Sequence, residues 1–164
     1  MKDIIVCIQQ LLKAHEQLLQ LAKQKKDIIV ANDITSLSEI TSKEAKYIAV
    51  IETLEVRRQN LVNAYFQSLS LSGDKQIDPT LTNLIALTKE EPDQQQLTDL
   101  QQQLLPVMEQ LVACQTLNDK LIADALQFLD YSVDLLFGEP EDDMLYQHPE
   151  KTRDHRKGMF ETKA

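Results

Sequence analysis

The feature that most constrains this chain is a run of helical periodicity that opens at Pro92 and meets no stop until Gly138-Glu139-Pro140. Between Leu117 and Phe137, Leu121, Ala125, Phe128, Ser132 and Leu135 recur three or four residues apart. So do Ile122, Leu126, Leu129, Val133 and Leu136, on a stripe about 100° round the helix from the first. Lys120, Asp124, Gln127 and Asp134 occupy the opposite side, with Tyr131 among them. An apolar face this wide is more than one long neighbour can cover. Either two helices of the same protein pack on it, or part of it is left for a partner, and that alternative decides the function.

The rest of the sequence is of the same kind. Three Gly, five Pro, 5% aromatics and no Trp leave an inventory of Leu, Ile, Gln, Lys and Glu that forms helices and has little to build a sheet with. A first helix is predicted from about Asp3 to Val30, with Ile5, Ile8, Leu12, His15, Leu19, Ala22 and Ile29 as its stripe and Lys26 as the polar interruption. Asn32-Asp33 reads as a stop followed by a start, because Asn tolerates the left-handed C-terminal position and Asp caps an N-terminus. Ser36 with Glu39 offers a second capping option. The second helix should run to about Ser72, on a stripe of Leu37, Ile40, Glu44, Tyr47, Ile51, Leu54, Arg58, Leu61 and Tyr65. So short a break between long helices implies an antiparallel pair. A linker over 73–80 ends in Asp78-Pro79, which reads as a cap and first-turn proline for a short helix through Leu81, Leu84, Ile85 and Leu87. In the last helix the seam is Leu97, Leu100, Leu104, Val107, Leu111, Cys114 and Asn118, and Pro106 should kink it.

The expected fold is therefore all-α: an elongated antiparallel helical bundle or coiled coil of three long helices plus one short helix. Residues 1–138 form the bundle and 139–164 a mobile C-terminal tail that carries Lys151, Arg153, Arg156 and Lys157 and one apolar pair, Met159-Phe160.

A net charge of −9 argues against nucleic acid and anionic membrane surfaces as partners. The charge is also uneven. From Glu90 to Gly138 the acids are Glu90, Glu91, Asp93, Asp99, Glu109, Asp119, Asp124, Asp130 and Asp134, against Lys120 as the one base. The last helix is thus an acidic surface, a solvated face or a steering field for a basic partner. Cys7 and Cys114 fit neither a disulfide framework nor metal-ligand spacing and read as small core residues in a reducing compartment. The N-terminal apolar run is too short for a signal peptide, and no window approaches a membrane span. A cytoplasmic protein without membrane insertion is expected.

Chemistry is hard to find. His15 invites comparison with a phosphotransfer bundle, which wants an exposed histidine with Lys three residues on and then Gly. Here Glu16, Gln17, Leu18 and Leu19 follow, and His15 sits on the apolar seam. His148 and His155 lack carboxylate or thiolate partners at ligand spacing. Glu44, Arg58 and Asn118 interrupt apolar stripes, as polar residues that fix register do. There is no phosphate-cradling glycine loop, nucleophile elbow or metal motif. The reading is of no enzyme and no cofactor.

Binding is the remaining class. An apolar strip offers anchors at i, i+3 and i+4 to a helix. Four buried anchors at about 1.5–3 kcal/mol each exceed the roughly 2–5 kcal/mol cost of ordering a disordered client. The candidate client-binding residues are Leu111, Leu121, Ile122, Ala125, Leu126, Phe128, Leu129, Val133 and Leu136. A structural coiled-coil homodimer and a phosphotransfer or regulatory bundle are the rival readings.

Three segments carry a resemblance: Leu11-Leu12-Lys13-Ala14-His15-Glu16-Gln17-Leu18-Leu19, Leu54-Glu55-Val56-Arg57-Arg58, and Asn118-Asp119-Lys120-Leu121-Ile122-Ala123-Asp124-Ala125-Leu126-Gln127-Phe128-Leu129. With the ending Met159-Phe160-Glu161-Thr162-Lys163-Ala164, the pattern resembles the FlgN family of flagellar export chaperones, in its Bacillus-type form. The resemblance implies a cytoplasmic chaperone that binds C-terminal segments of hook–filament junction proteins, prevents premature assembly and delivers them to the flagellar export gate, a type III secretion machine, without using ATP itself. In related chaperones a tyrosine in the C-terminal part helps dock the gate. Tyr131 is the candidate here, as an aromatic on the polar stripe.

Overall fold

A computed structural model describes residues 1–69 and 78–138. It is all-α: α1 (Lys2–Val30), α2 (Ile34–Ser68), α3 (Leu81–Leu87) and α4 (Glu91–Phe137). The chain divides into two compact units, Met1–Phe128 and Leu129–Ala164. The expected tail, with its histidines, its basic run and Met159-Phe160, and most of the expected linker lie outside the described residues.

The first unit is a helical bundle, and its side-chain ties fix the directions. The Cys7 thiol donates to the Leu54 carbonyl at 3.4 Å, and Lys25 Nζ reaches Glu44 Oε2 at 2.8 Å, so α1 and α2 run antiparallel. Leu97 and Leu100 share a core with Ile4, Ile5, Ile8 and Leu12, while Asn118 Nδ2 donates to the Ala22 carbonyl at 2.8 Å. Numbers rise together along α1 and α4, so these two are parallel and α4 is antiparallel to α2. The backbones of α1 and α2 lie close together, whereas α4 meets its neighbours mainly through longer side chains.

The turn between α1 and α2 follows from its sequence. Asn32 takes φ 54°, the left-handed conformation its short polar side chain tolerates. The Asn32 N–H then donates to Ile29 O and the Asp33 N–H to Ile28 O, the pair of bonds that satisfies the last carbonyls of α1. Asp33 caps α2 by accepting from the Ser36 N–H at 3.0 Å and the Ser36 hydroxyl at 2.6 Å. Ser36 is thereby spent as a donor to Asp33, which replaces the expected second cap with Glu39.

Four further expectations change. Lys26 is exposed, and the lysine on the inner face is Lys25. The predicted stripe of α1 is the half that meets α4. A second buried stripe, Cys7, Leu11, Ala14 and Leu18, leads to Lys25 and faces α2. Helix α2 ends at Ser68, capped by Leu69, short of Ser72. Finally, α3 is capped by Thr80, whose hydroxyl accepts from the Asn83 N–H at 3.2 Å, and not by Asp78. The Pro79 carbonyl is already taken by Arg58 NH1 at 2.6 Å, so Pro79 lies outside the helix it was expected to open.

The apolar core sits where α1 begins, α2 ends and α4 begins. Ile4, Ile5, Ile8, Leu12, Val62, Phe66, Leu84, Leu97 and Leu100 are buried together. Short α3 plugs this end through Leu84, and Gln94 Nε2 holds it to α4 by donating to the Ile85 carbonyl at 3.2 Å. Helix α4 continues through Pro106, whose missing N–H leaves the Gln102 carbonyl without its ladder partner at an exposed position.

Candidate functional site

The three polar residues that interrupt apolar stripes are all ties between elements. Glu44 is buried, and its partner Lys25 is nearly so. Arg58 pairs with Glu55 at 2.8 Å and spans to the Pro79 carbonyl, fixing the approach to α3. Asn118 is fully buried against α1. One oxygen on each of two of them, Glu44 Oε1 and Asn118 Oδ1, is buried without a hydrogen-bond partner among the described residues. Such groups specify which helix meets which, at some cost in stability.

His15 has the environment of a seam residue. It is half-buried, and its Nδ1–H donates to the Leu11 carbonyl one turn earlier at 2.8 Å, which leaves Nε2 as the free nitrogen. Cys7 is buried and Cys114 half-buried, both as free thiols. Burial pushes the Cys7 thiol up from its ordinary range, partly countered by the nearby Arg57 and Arg58. Among the described residues no group of His, Cys, Asp and Glu gathers at metal-binding distance, and no helix is long and apolar enough to cross a membrane.

The apolar stripes of α4 are distributed unevenly between inside and outside. In the first unit Leu111, Leu121 and Ile122 are half-buried, while Ala125, Leu126 and Phe128 are exposed, Leu126 at 56%. In the second unit Leu129 is 57% exposed and Leu136 76%, with Val133 exposed as well. Tyr131 is also exposed, at 61%. The last buried residue of α4 is Asn118.

Sequence reasoning missed other exposed apolar positions. Leu105, Met108 and Val112 stand three and four apart on the outside of α4, and Phe137 adds to the exposed set near its end. The 3–4 spacing of the first three was a readable signal, overshadowed by the stronger seam one or two residues away. Gly138 ends the helix with its N–H on the Asp134 carbonyl at 2.7 Å, and a Cβ there would run into that same oxygen.

Against known proteins, residues 1–154 match the family model described as FlgN protein. The chain is also 33% identical over 135 residues to the uncharacterized protein YvyG of Bacillus subtilis strain 168, an alignment covering 82% of this chain and 79% of that protein. No solved structure matches the chain.

Proposed function

The chain belongs to the FlgN family and shares its general chaperone role; from that premise we propose that it is a cytoplasmic chaperone of flagellar type III export. Its clients are the C-terminal segments of hook–filament junction proteins, which it keeps from premature assembly and delivers to the export gate. The observation that carries the reading is the exposed aliphatic side chains of α4 past Asn118, Leu126 in the first unit and Leu129 and Leu136 in the second. Leaving Leu126, Leu129 and Leu136 in water forgoes burial of about 1.5–3 kcal/mol each. A client segment that covers the exposed side chains of either unit recovers this energy. Leu111, Leu121, Ile122, Ala125, Phe128 and Val133 complete the proposed client-binding set.

Binding and release of this kind need neither cofactor nor catalysis. They need a surface that holds an apolar segment and a partner that competes for the complex. Tyr131 supplies a separate contact for the gate, since its exposed phenol lies off the apolar stripes.

Leu126→Asp combined with Leu129→Asp tests the docking face. Calorimetric titration with a junction protein's C-terminal peptide should show binding lost, while circular dichroism shows the helix content retained. Undiminished affinity would remove the face from the proposal. Tyr131→Ala should leave client affinity intact and reduce retention of the complex on the isolated gate, and equal retention would exclude the tyrosine.

A further inference from the structure

We propose that a single buried water molecule joins α1, α2 and α4 at the level of Lys25, Glu44 and Asn118. This binding site lies inside the first unit and is independent of the surface offered to clients. Glu44 is 4% and Asn118 0% exposed, and each keeps one oxygen, Oε1 and Oδ1, without a hydrogen-bond partner among the described residues. Both side chains meet α1 within one turn. Glu44 does so through Lys25 Nζ at 2.8 Å, and Asn118 through the Ala22 carbonyl, also at 2.8 Å. A helix carbonyl points toward the residue four further on, so the Asn118 amide stands level with the turn that holds Lys25. Down the axis of α1, Ala22 and Lys25 are about 60° apart, which puts the two polar groups on neighbouring inner faces.

Donors and acceptors in this layer do not balance. Lys25 carries three N–H donors and spends one on Glu44 Oε2, and among the described residues no bond joins it to Asn118. Two bare acceptors therefore face an ammonium with donors to spare. A buried acceptor left bare has lost its hydration with nothing in return. One water corrects this: its hydrogens go to Glu44 Oε1 and Asn118 Oδ1, and its oxygen accepts from Lys25. Three such bonds are what an internal water ordinarily makes. The layer rejects other small occupants, because the ammonium repels a metal cation, the two oxygens repel an anion, and an apolar group would leave both acceptors unpaired. Ala22 and Ile40, the latter one turn before Glu44, are buried as well, so a water held here exchanges slowly with solvent.

The test is the rotating-frame Overhauser effect between water and the Asn118 side chain in the full, isotope-labelled chain, read together with oxygen-17 relaxation dispersion of the solvent. The unmodified chain should show cross-peaks at Asn118 with the sign of a bound water, opposite to that of proton exchange, and a dispersion from long-lived water. Lys25→Met combined with Glu44→Leu should abolish the Asn118 cross-peaks. Asn118→Leu should lower the number of long-lived waters by one. Circular dichroism checks that both variants keep their helix content.

Missing cross-peaks at Asn118 in the unmodified chain would overturn the proposal. So would cross-peaks that persist unchanged once Lys25 and Glu44 are both apolar, since the water would then not bridge the two groups. A count of long-lived waters that Asn118→Leu leaves unchanged would overturn it as well. Should a variant fail to fold, the unmodified chain still decides, by the presence or absence of the cross-peaks.

Discussion

Near one end of α4, Leu97 and Leu100 are buried in the core; near the other, Leu126 and Leu129 stand more than half exposed. The two stretches share one helix and one alphabet of leucine, glutamine and aspartate, so propensity and hydrophobicity do not separate them. What separates them is supply of neighbours. The first stretch meets α1, the end of α2 and the plug formed by α3. Past Asn118 the supply falls, because α1 stops at Val30, about two turns beyond Ala22, and no residue of α4 after Asn118 is buried. An amphipathic pattern states what a helix is able to bury. Whether it does so depends on what the chain provides to cover it.

The sharpest way to break this comparison is to truncate one leucine at each end. Leu97→Ala removes a fully buried side chain from a core built of large aliphatic residues, and should destabilise the fold by about 2–5 kcal/mol. Leu129→Ala should change stability by less than about 0.5 kcal/mol. Urea denaturation of both variants measures the difference. Comparable losses would mean that Leu129 is packed in the free protein, and the contrast between the two ends would collapse.

The Lys25–Glu44 pair sharpens the comparison from inside the bundle. Glu44→Ala strands a lysine in the seam between α1 and α2, and should cost roughly 1–3 kcal/mol. Lys25→Met together with Glu44→Leu should recover most of that loss, because an apolar pair needs no desolvation. The double variant then tests specificity: with the polar tie gone, α1 and α2 keep their affinity but lose a marker of their register. Recovery of stability with broadened amide resonances along α1 is the expected signature. A double variant as unstable as Glu44→Ala would show that the pair contributes favourably by itself.

How far the residues alone reached can be judged element by element. The long helices, the Asn32-Asp33 junction and the three polar seam residues were all legible, since each depends on local chemistry or on the 3.6-residue period. Lys25 was passed over because a single stripe, interrupted by Lys26, was assumed for α1, whereas a helix packed between two others buries two. The cap of α3 was misplaced because Arg58 claims the Pro79 carbonyl from another helix, a tertiary event with no local signature. For α4 the width of the apolar face was visible, but not how much of it the other helices shelter. That depends on where α1 ends relative to α4, and so on the pairing of Ala22 with Asn118.

The smallest effect belongs to the turn between α1 and α2, where one side chain holds a helix start with no core behind it. Hydrogen bonds from the Ser36 hydroxyl and backbone N–H stabilise the ionised Asp33 carboxylate and hold its pKa below the ordinary aspartate value. A group with its folded pKa depressed adds stability that is fully present above the unfolded value, about 3.9, and is lost as pH falls through the folded one. Asp33→Ala should therefore lower the melting temperature by a small, constant amount near neutral pH, with the gap to the unmodified chain narrowing below about pH 4. Asp33→Asn keeps an oxygen acceptor for the Ser36 N–H without the charge, so it should retain much of the cap at neutral pH and show no such narrowing. Thermal melts of the three chains from acid to neutral pH read this directly. A gap for Asp33→Ala that stays the same width at every pH would mean that the left-handed Asn32 and its backbone bonds hold the turn, and that the carboxylate adds nothing through its charge.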